Sequence, residues 1–147
     1  MIPTIKMRLE DDAVLPQYET NGSSGMDLRA NLTAAVTIKP GEVKLVSTGL
    51  FMEIPPLCEG QIRSRSGLTL KTGLIVANAP GTIDSDYRGE VKIIMANIGK
   101  KPARIAPGDR IAQIIFAHVF QAVVQEVHVE LSDTERGEGG FGSTGVS

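Results

Sequence analysis

Short runs rich in β-branched residues recur along the chain, separated by turn-forming glycines and prolines. The runs are AAVTI (34–38), VKLVSTGLF (43–51), GQIRS (60–64), VKIIMANI (91–98), RIAQIIFAHVF (110–120) and VVQEVHVEL (123–131). Several alternate apolar with polar positions, VQEVHVEL most clearly, which is the period-two pattern of a strand with one covered face. Between the runs stand KPGE (39–42), IPP (54–56), APGT (79–82), GKKP (99–102) and APGD (106–109). Pro presets one dihedral of a tight turn and Gly supplies the positive one. Many short strands punctuated in this way predict an all-β fold, a sandwich or barrel. One segment breaks the pattern: SGLTLKTG (66–73) predicts a single short helix, with Ser66 capping its start and Gly73 its end.

The strand pattern stops after Leu131. The stretch SDTERGEGGFGSTGVS (132–147) holds five glycines and almost no apolar side chains. We expect one β domain over 1–131 and a mobile arm over 132–147. Within the arm, Gly137, Gly139 and Gly142 satisfy G-x-G-x-x-G. Phosphate loops of that form open a helix whose N-terminus meets the phosphate. Here only Val146 and Ser147 follow RGEGGFGSTG, too little for a helix, and no Lys precedes the Ser and Thr as a Walker loop requires.

Composition narrows the class. The length, 147 residues, fits one domain with a sizeable core. The formal charge is −2, from 15 basic and 17 acidic residues, so bulk binding to nucleic acid or a membrane surface is not expected. Cys58 is the one cysteine and cannot make an internal disulfide, which fits a reducing compartment. The opening MIPTIKMRLE lacks the apolar core of a signal peptide. The longest apolar stretch, IAQIIFAHVFQAVV, is 14 residues and is interrupted by Gln113, His118 and Gln121, too short and polar to span a bilayer as a helix. A soluble cytoplasmic protein is the expectation. Aromatic content is 4% with no Trp, consistent with an apolar load shared across subunit contacts.

Polar islands interrupt the turns. In SSGMDLRA (23–30), Asp27 and Arg29 share one strand face, and Gly25 suggests a dihedral closed to other residues; a surface ion pair beside a turn is the plain alternative. In RSRSGLTL (63–70), Arg65, Ser66 and Gly67 place a guanidinium, a hydroxyl and backbone N–H groups at the helix start, an anion site or an ordinary helix cap. NAPGTIDSDYRGE (78–90) looks like a β-hairpin with a polar lining. Asp84 and Asp86 lie two apart, with Tyr87 adjacent and Asn78 across; a carboxylate here suits activation of water, the amide the reading of a polar ring edge, and the aromatic face packing on a sugar, against the alternative of a solvated turn. In PGDRIAQIIF (107–116), Gln113 is a polar residue in an apolar strand, functional or at an exposed edge. Zinc signatures are absent, and His118 and His128 have no nucleophile partner in sequence, so both are read as ordinary strand residues.

SGMDLRA, RSGL, GTIDSDYRGE, GDRIAQIIF and RGEGGFGSTG, in this order, resemble the five motifs of the trimeric dUTPases (deoxyuridine triphosphate nucleotidohydrolases). The resemblance runs from about residue 20 to the C-terminus. It implies a jelly-roll, β-clip-like subunit and a homotrimer whose three sites are each built from more than one chain. The glycine-rich tail becomes an arm that closes over a neighbour's site, so no helix need follow it. Asp84 resembles the residue that deprotonates a water attacking the α-phosphorus, giving dUMP and pyrophosphate. Asn78, with Thr82, Ile83 and the backbone up to Lys92, would read uracil, close hairpin walls would exclude the thymine methyl, and Tyr87 would pack on the deoxyribose. Arg65, Ser66, Gly67 and Gln113 would hold phosphates. Arg136 would pair with the terminal phosphates, Phe141 would stack on the uracil, and Gly142 and Ser143 would complete the cover. Magnesium is implied on the triphosphate and water, with no direct protein ligand and Asp27 structural or reaching it only through water. The implied role is to keep uracil out of DNA and to supply dUMP for thymidylate synthesis.

Ser64 stands where the family pattern has a proline before the motif-two arginine. A dCTP deaminase on the same jelly-roll is the nearest rival, but it has a different serine and arginine motif. A silent dUTPase-like module that binds a protein is the second. The IDSDY segment and the full arm argue for the hydrolase.

Overall fold

In the computed structural model, which describes residues 2–140, the chain is mostly β with one short helix. In chain order the elements are β1 (Lys6–Leu9), β2 (Met26–Arg29), β3 (Val36–Ile38), β4 (Val43–Glu53), β5 (Cys58–Arg63), α1 (Ser66–Thr72), β6 (Leu74–Val76), β7 (Gly81–Ile83), β8 (Val91–Asn97), β9 (Ala103–Ile105) and β10 (Arg110–His118). One sheet runs β1-β4-β8-β6, a second β2-β10-β5-β7, and β3 pairs with β9 in a two-stranded ribbon. Every pairing is antiparallel. Among the described residues, no helix is long and apolar enough to cross a membrane.

Alternation sets the core. In β8, Val91, Ile93, Met95 and Asn97 point inward, while Lys92 and Ile94 face out. Val91, Ile93 and Met95 join Val46, Met52, Leu74 and Val76 of the same sheet and Leu28, Ile62 and Ile114 of the other in one apolar cluster. Branched aliphatics fill this space without an aromatic centre. The buried Asn97 is fully used: its amide donates to the carbonyls of Ile38 and Lys101, each at 2.8 Å, and its oxygen accepts the Gly99 N–H at 2.8 Å. These bonds fix the far end of β8 against the ribbon.

The helix forms where the sequence predicts it, with a different cap. Its N-cap is Arg65, without a side-chain cap bond, and Ser66 is its first residue. Gly73 closes it at φ 77°, its N–H donating to the Thr69 carbonyl.

Two expectations are corrected. Residues 78–90 do not form a β-hairpin: β7 pairs with β5 in one sheet and β8 with β4 and β6 in the other, so 84–90 is a crossing between sheets. VVQEVHVEL forms no strand in this chain. Its alternation needs a surface to cover it, and Val123, Val129 and Leu131 are instead exposed.

Candidate active site

The crossing loop and its flanking strands line a cleft of about 710 Å³. Asn78, Thr82, Ile83, Asp84, Tyr87 and Lys92 all line it, whereas Asp86 does not. Glu90 lies there too, and Leu45, Phe51, Val91 and Ile93 give it an apolar floor. Asp84 stands at the end of β7, exposed, and among the described residues its carboxylate makes no hydrogen bond. The loop beyond it is shaped by the chain itself. Tyr87 N–H donates to the Asp84 carbonyl at 3.2 Å. Arg88 Nη1 donates to the carbonyls of Ser85 at 2.7 Å and Tyr87 at 2.9 Å.

Glu90 was not distinguished by the sequence pattern. Its carboxylate accepts the Gly49 N–H at 3.0 Å and pairs with Lys92 at 3.2 Å. Gly49 lies at a bulge of β4, where the register with β8 shifts between Ser47 and Leu50. Burial opposes the charge on Glu90. The Gly49 N–H, the Lys92 ammonium and the Ser47 side chain outweigh it and hold the carboxyl below the usual carboxylate range.

The remaining predicted residues gather elsewhere. Arg65, Ser66, Gly67 and Gln113 do not line the cleft. Asp27 and Arg29 do share one face of β2, but they do not pair with each other. Arg65 Nε donates to Asp27 Oδ1 at 2.8 Å and Arg110 Nη1 to Oδ2 at 3.3 Å, while Arg29 Nη1 donates to the Gly108 carbonyl at 2.9 Å. Arg65 Nη1 also donates to the Arg110 carbonyl at 3.1 Å. Asp27 therefore holds two arginines in place. Gln113 is not at an edge: β10 lies between β2 and β5, and its Nε2 donates to the Ser64 carbonyl at 2.9 Å. The Ser64 hydroxyl accepts the Val76 N–H at 2.9 Å, a tie that a proline cannot make. Gly25 is needed for space rather than for its dihedral, because a β-carbon there would lie 2.7 Å from Gln113 Oε1.

Among the described residues, no three His, Cys, Asp or Glu side chains converge as a metal cage. Arg136 is exposed, with its Nε donating to the Gly139 carbonyl at 2.7 Å. Phe141, Gly142 and Ser143 lie outside the described residues.

Comparison with known proteins agrees with the motifs. The dUTPase family model matches residues 11–145. A deoxyuridine 5'-triphosphate nucleotidohydrolase of Caldanaerobacter subterraneus subsp. tengcongensis is 53% identical over 141 residues, 95% of each chain. One from Methylocella silvestris is 54% identical, over 92% of this chain and 86% of that protein. Among solved structures, the Staphylococcus bacteriophage 80alpha dUTPase with dUPNHPP superposes with a TM-score of 0.88 at 27% identity, covering 97% of this chain and 99% of that one. The order of the polar islands, the cleft that gathers Asn78, Asp84 and Tyr87, and these likenesses over nearly the full length lead to one assignment: the chain belongs to the dUTPase family.

Proposed function

We propose that this protein hydrolyses dUTP to dUMP and pyrophosphate, with Asp84 as the base. The observation that carries the reading is the cleft: an unengaged carboxylate, an amide and an aromatic ring share one apolar-floored space. Asp84 takes a proton from a water that attacks the α-phosphorus in line. Asn78 and the backbone from Thr82 to Lys92 hydrogen-bond the uracil edge. Cytosine presents the opposite donor and acceptor there and leaves buried polar groups unpaired, which a site of this kind rejects strongly. Tyr87 packs on the deoxyribose. Magnesium, carried on triphosphate oxygens and water, neutralises charge on the triphosphate and the leaving pyrophosphate. Asp27 is already occupied by two arginines, so its part is to position them rather than to hold the metal.

The site is read as shared between copies. The separation of Arg65, Ser66, Gly67 and Gln113 from the cleft is what a phosphate half-site offered to a neighbouring chain requires. Val43 on the outer face of β4 is exposed and apolar, as are Phe120, Val123, Val124, Val129 and Leu131 after β10, and each would be covered in a homotrimer. The arm over 132–147, carrying Arg136, Phe141, Gly142 and Ser143, then closes the site. The product role follows: uracil is kept out of DNA, and dUMP is supplied for dTTP synthesis in the cytoplasm.

Pyrophosphate release tests the assignment, measured with magnesium on dUTP, dCTP, dTTP and UTP, with nucleoside products identified. Rapid release from dUTP alone, giving dUMP, is expected. Ammonia from dCTP would move the protein to the deaminases, and dUTP binding without turnover would make it a sensor. Asp27→Ala removes the carboxylate that Arg65 and Arg110 share and leaves Arg110 its second partner, Glu19 at 3.2 Å. Its expected effect is a KM for dUTP raised about tenfold with a smaller change in kcat, as for lost positioning of phosphate-binding groups. An unchanged KM would remove Asp27 from that role.

A further inference from the structure

Gly89 has no backbone reason to be glycine. The left-handed glycines of the described chain are Gly41, Gly49, Gly73, Gly108 and Gly137, and Gly89 is not among them. What needs the missing side chain is Tyr87. A β-carbon built on Gly89 would lie 2.5 Å from Tyr87 Cζ and closer still to its hydroxyl oxygen. The ring therefore lies folded over the backbone two residues on. Its hydroxyl donates to the Glu90 carbonyl at 3.0 Å, which fixes the far end of the ring. Glu90 is in turn anchored through its carboxylate to the Gly49 N–H on β4 and to Lys92. Tyr87 is 43% exposed, and the hydroxyl bond to the Glu90 carbonyl is the one hydrogen bond of its side chain among the described residues.

We infer that Gly89 and Glu90 set the sugar selectivity of the site by seating Tyr87. This rests on the proposed dUTP hydrolysis and deepens it. An exposed tyrosine free to turn would yield to a 2′-hydroxyl at little cost, because exposed rings change rotamer readily. A ring held at both ends cannot retreat, and the extra hydroxyl meets it. Gly89 supplies the space, the Glu90 carbonyl supplies the acceptor, and the Glu90 carboxylate stops that carbonyl from moving with the loop. Glu90 lines the cleft and both residues lie within the backbone stretch proposed to read uracil; toward the sugar they act only through Tyr87, as positioning residues.

The test is Gly89→Ala, compared with the wild type by kcat/KM on dUTP and on UTP. The backbone at Gly89 is not left-handed, and the three atoms nearest an added β-carbon all belong to the exposed Tyr87 ring, so the melting temperature is expected to stay within a few degrees. The dUTP-to-UTP ratio is expected to fall about tenfold, against the roughly 100-fold by which a packed pocket rejects an added hydroxyl. Glu90→Ala is expected to lower the same ratio while keeping its carbonyl. The decisive arm is the double variant with Tyr87→Ala. If Gly89 acts through the ring, adding G89A to Y87A changes the ratio no further. An unchanged ratio in the single variant, or an equal further loss in the double variant, overturns the inference. Absence of dUTP turnover in the wild type would instead defeat the functional proposal, so the two failures are distinguishable.

Discussion

Asp84→Asn is expected to lower kcat for dUTP by roughly 100- to 10,000-fold, the range that a positioned general base supplies. The substitution is close to isosteric, Asp84 is exposed, and its carboxylate bonds to no described residue, so the fold loses nothing. Nucleotide binding separates this variant from one that is merely damaged. A carboxylate near a triphosphate repels it, so replacing that charge with an amide should leave affinity for a non-hydrolysable dUTP analogue unchanged or tighter. Calorimetric titration beside single-turnover rates reads both quantities. Slow chemistry with intact binding is the signature of a missing base. Near-normal turnover would remove Asp84 from that role and direct attention to Asp86, two residues on in the same loop.

The residues of that loop were legible in the sequence because they are close along the chain. Asn78, Asp84, Tyr87 and Lys92 needed only a bend to meet, and the Pro and Gly of APGT marked where one falls. The wrong inference there was the kind of bend. Local pattern gives a strand, a polar turn and a strand, but not whether the two strands pair with each other. β7 found its partner in β5 and β8 in β4 and β6, contacts at a distance that no local pattern encodes. Arg110 escaped notice for the same reason: it meets Asp27 across 83 positions of sequence. Glu90 read as the polar end of a turn, and only the β4 bulge at Gly49 gives its carboxylate a purpose. The alternation of VVQEVHVEL is a different case. The pattern correctly states that one face wants cover and does not state which chain supplies it, and the exposed Val129 and Leu131 show that this chain does not.

That uncovered stretch leads into the arm, where the second large effect is expected. A chain ending at Glu135 loses Arg136 and the glycine-rich segment after it. The described part of the arm is exposed up to Glu138 and contributes nothing to the apolar cluster, so the melting temperature should be unchanged. The proposed trimer should also persist in sedimentation, because its proposed contacts precede the cut. Activity is expected to fall by about 100-fold or more in kcat/KM. Three losses act together: the guanidinium proposed for the terminal phosphates, the ring proposed to stack on uracil, and the proposed cover over the reacting phosphate. Glycine suits such a cover because its backbone can approach phosphate oxygens without a side chain between them. Glycine also raises the entropy cost of ordering, so the proposed closure would be driven by the substrate. Phe141→Ala in the full-length chain divides the effect. If the ring acts by stacking on the base, that variant should lose part of the rate through KM, and adding it to the truncated chain has no meaning. If the truncated protein keeps full activity, the arm does not close the site, and the five-motif resemblance would overstate what its last motif does in this chain.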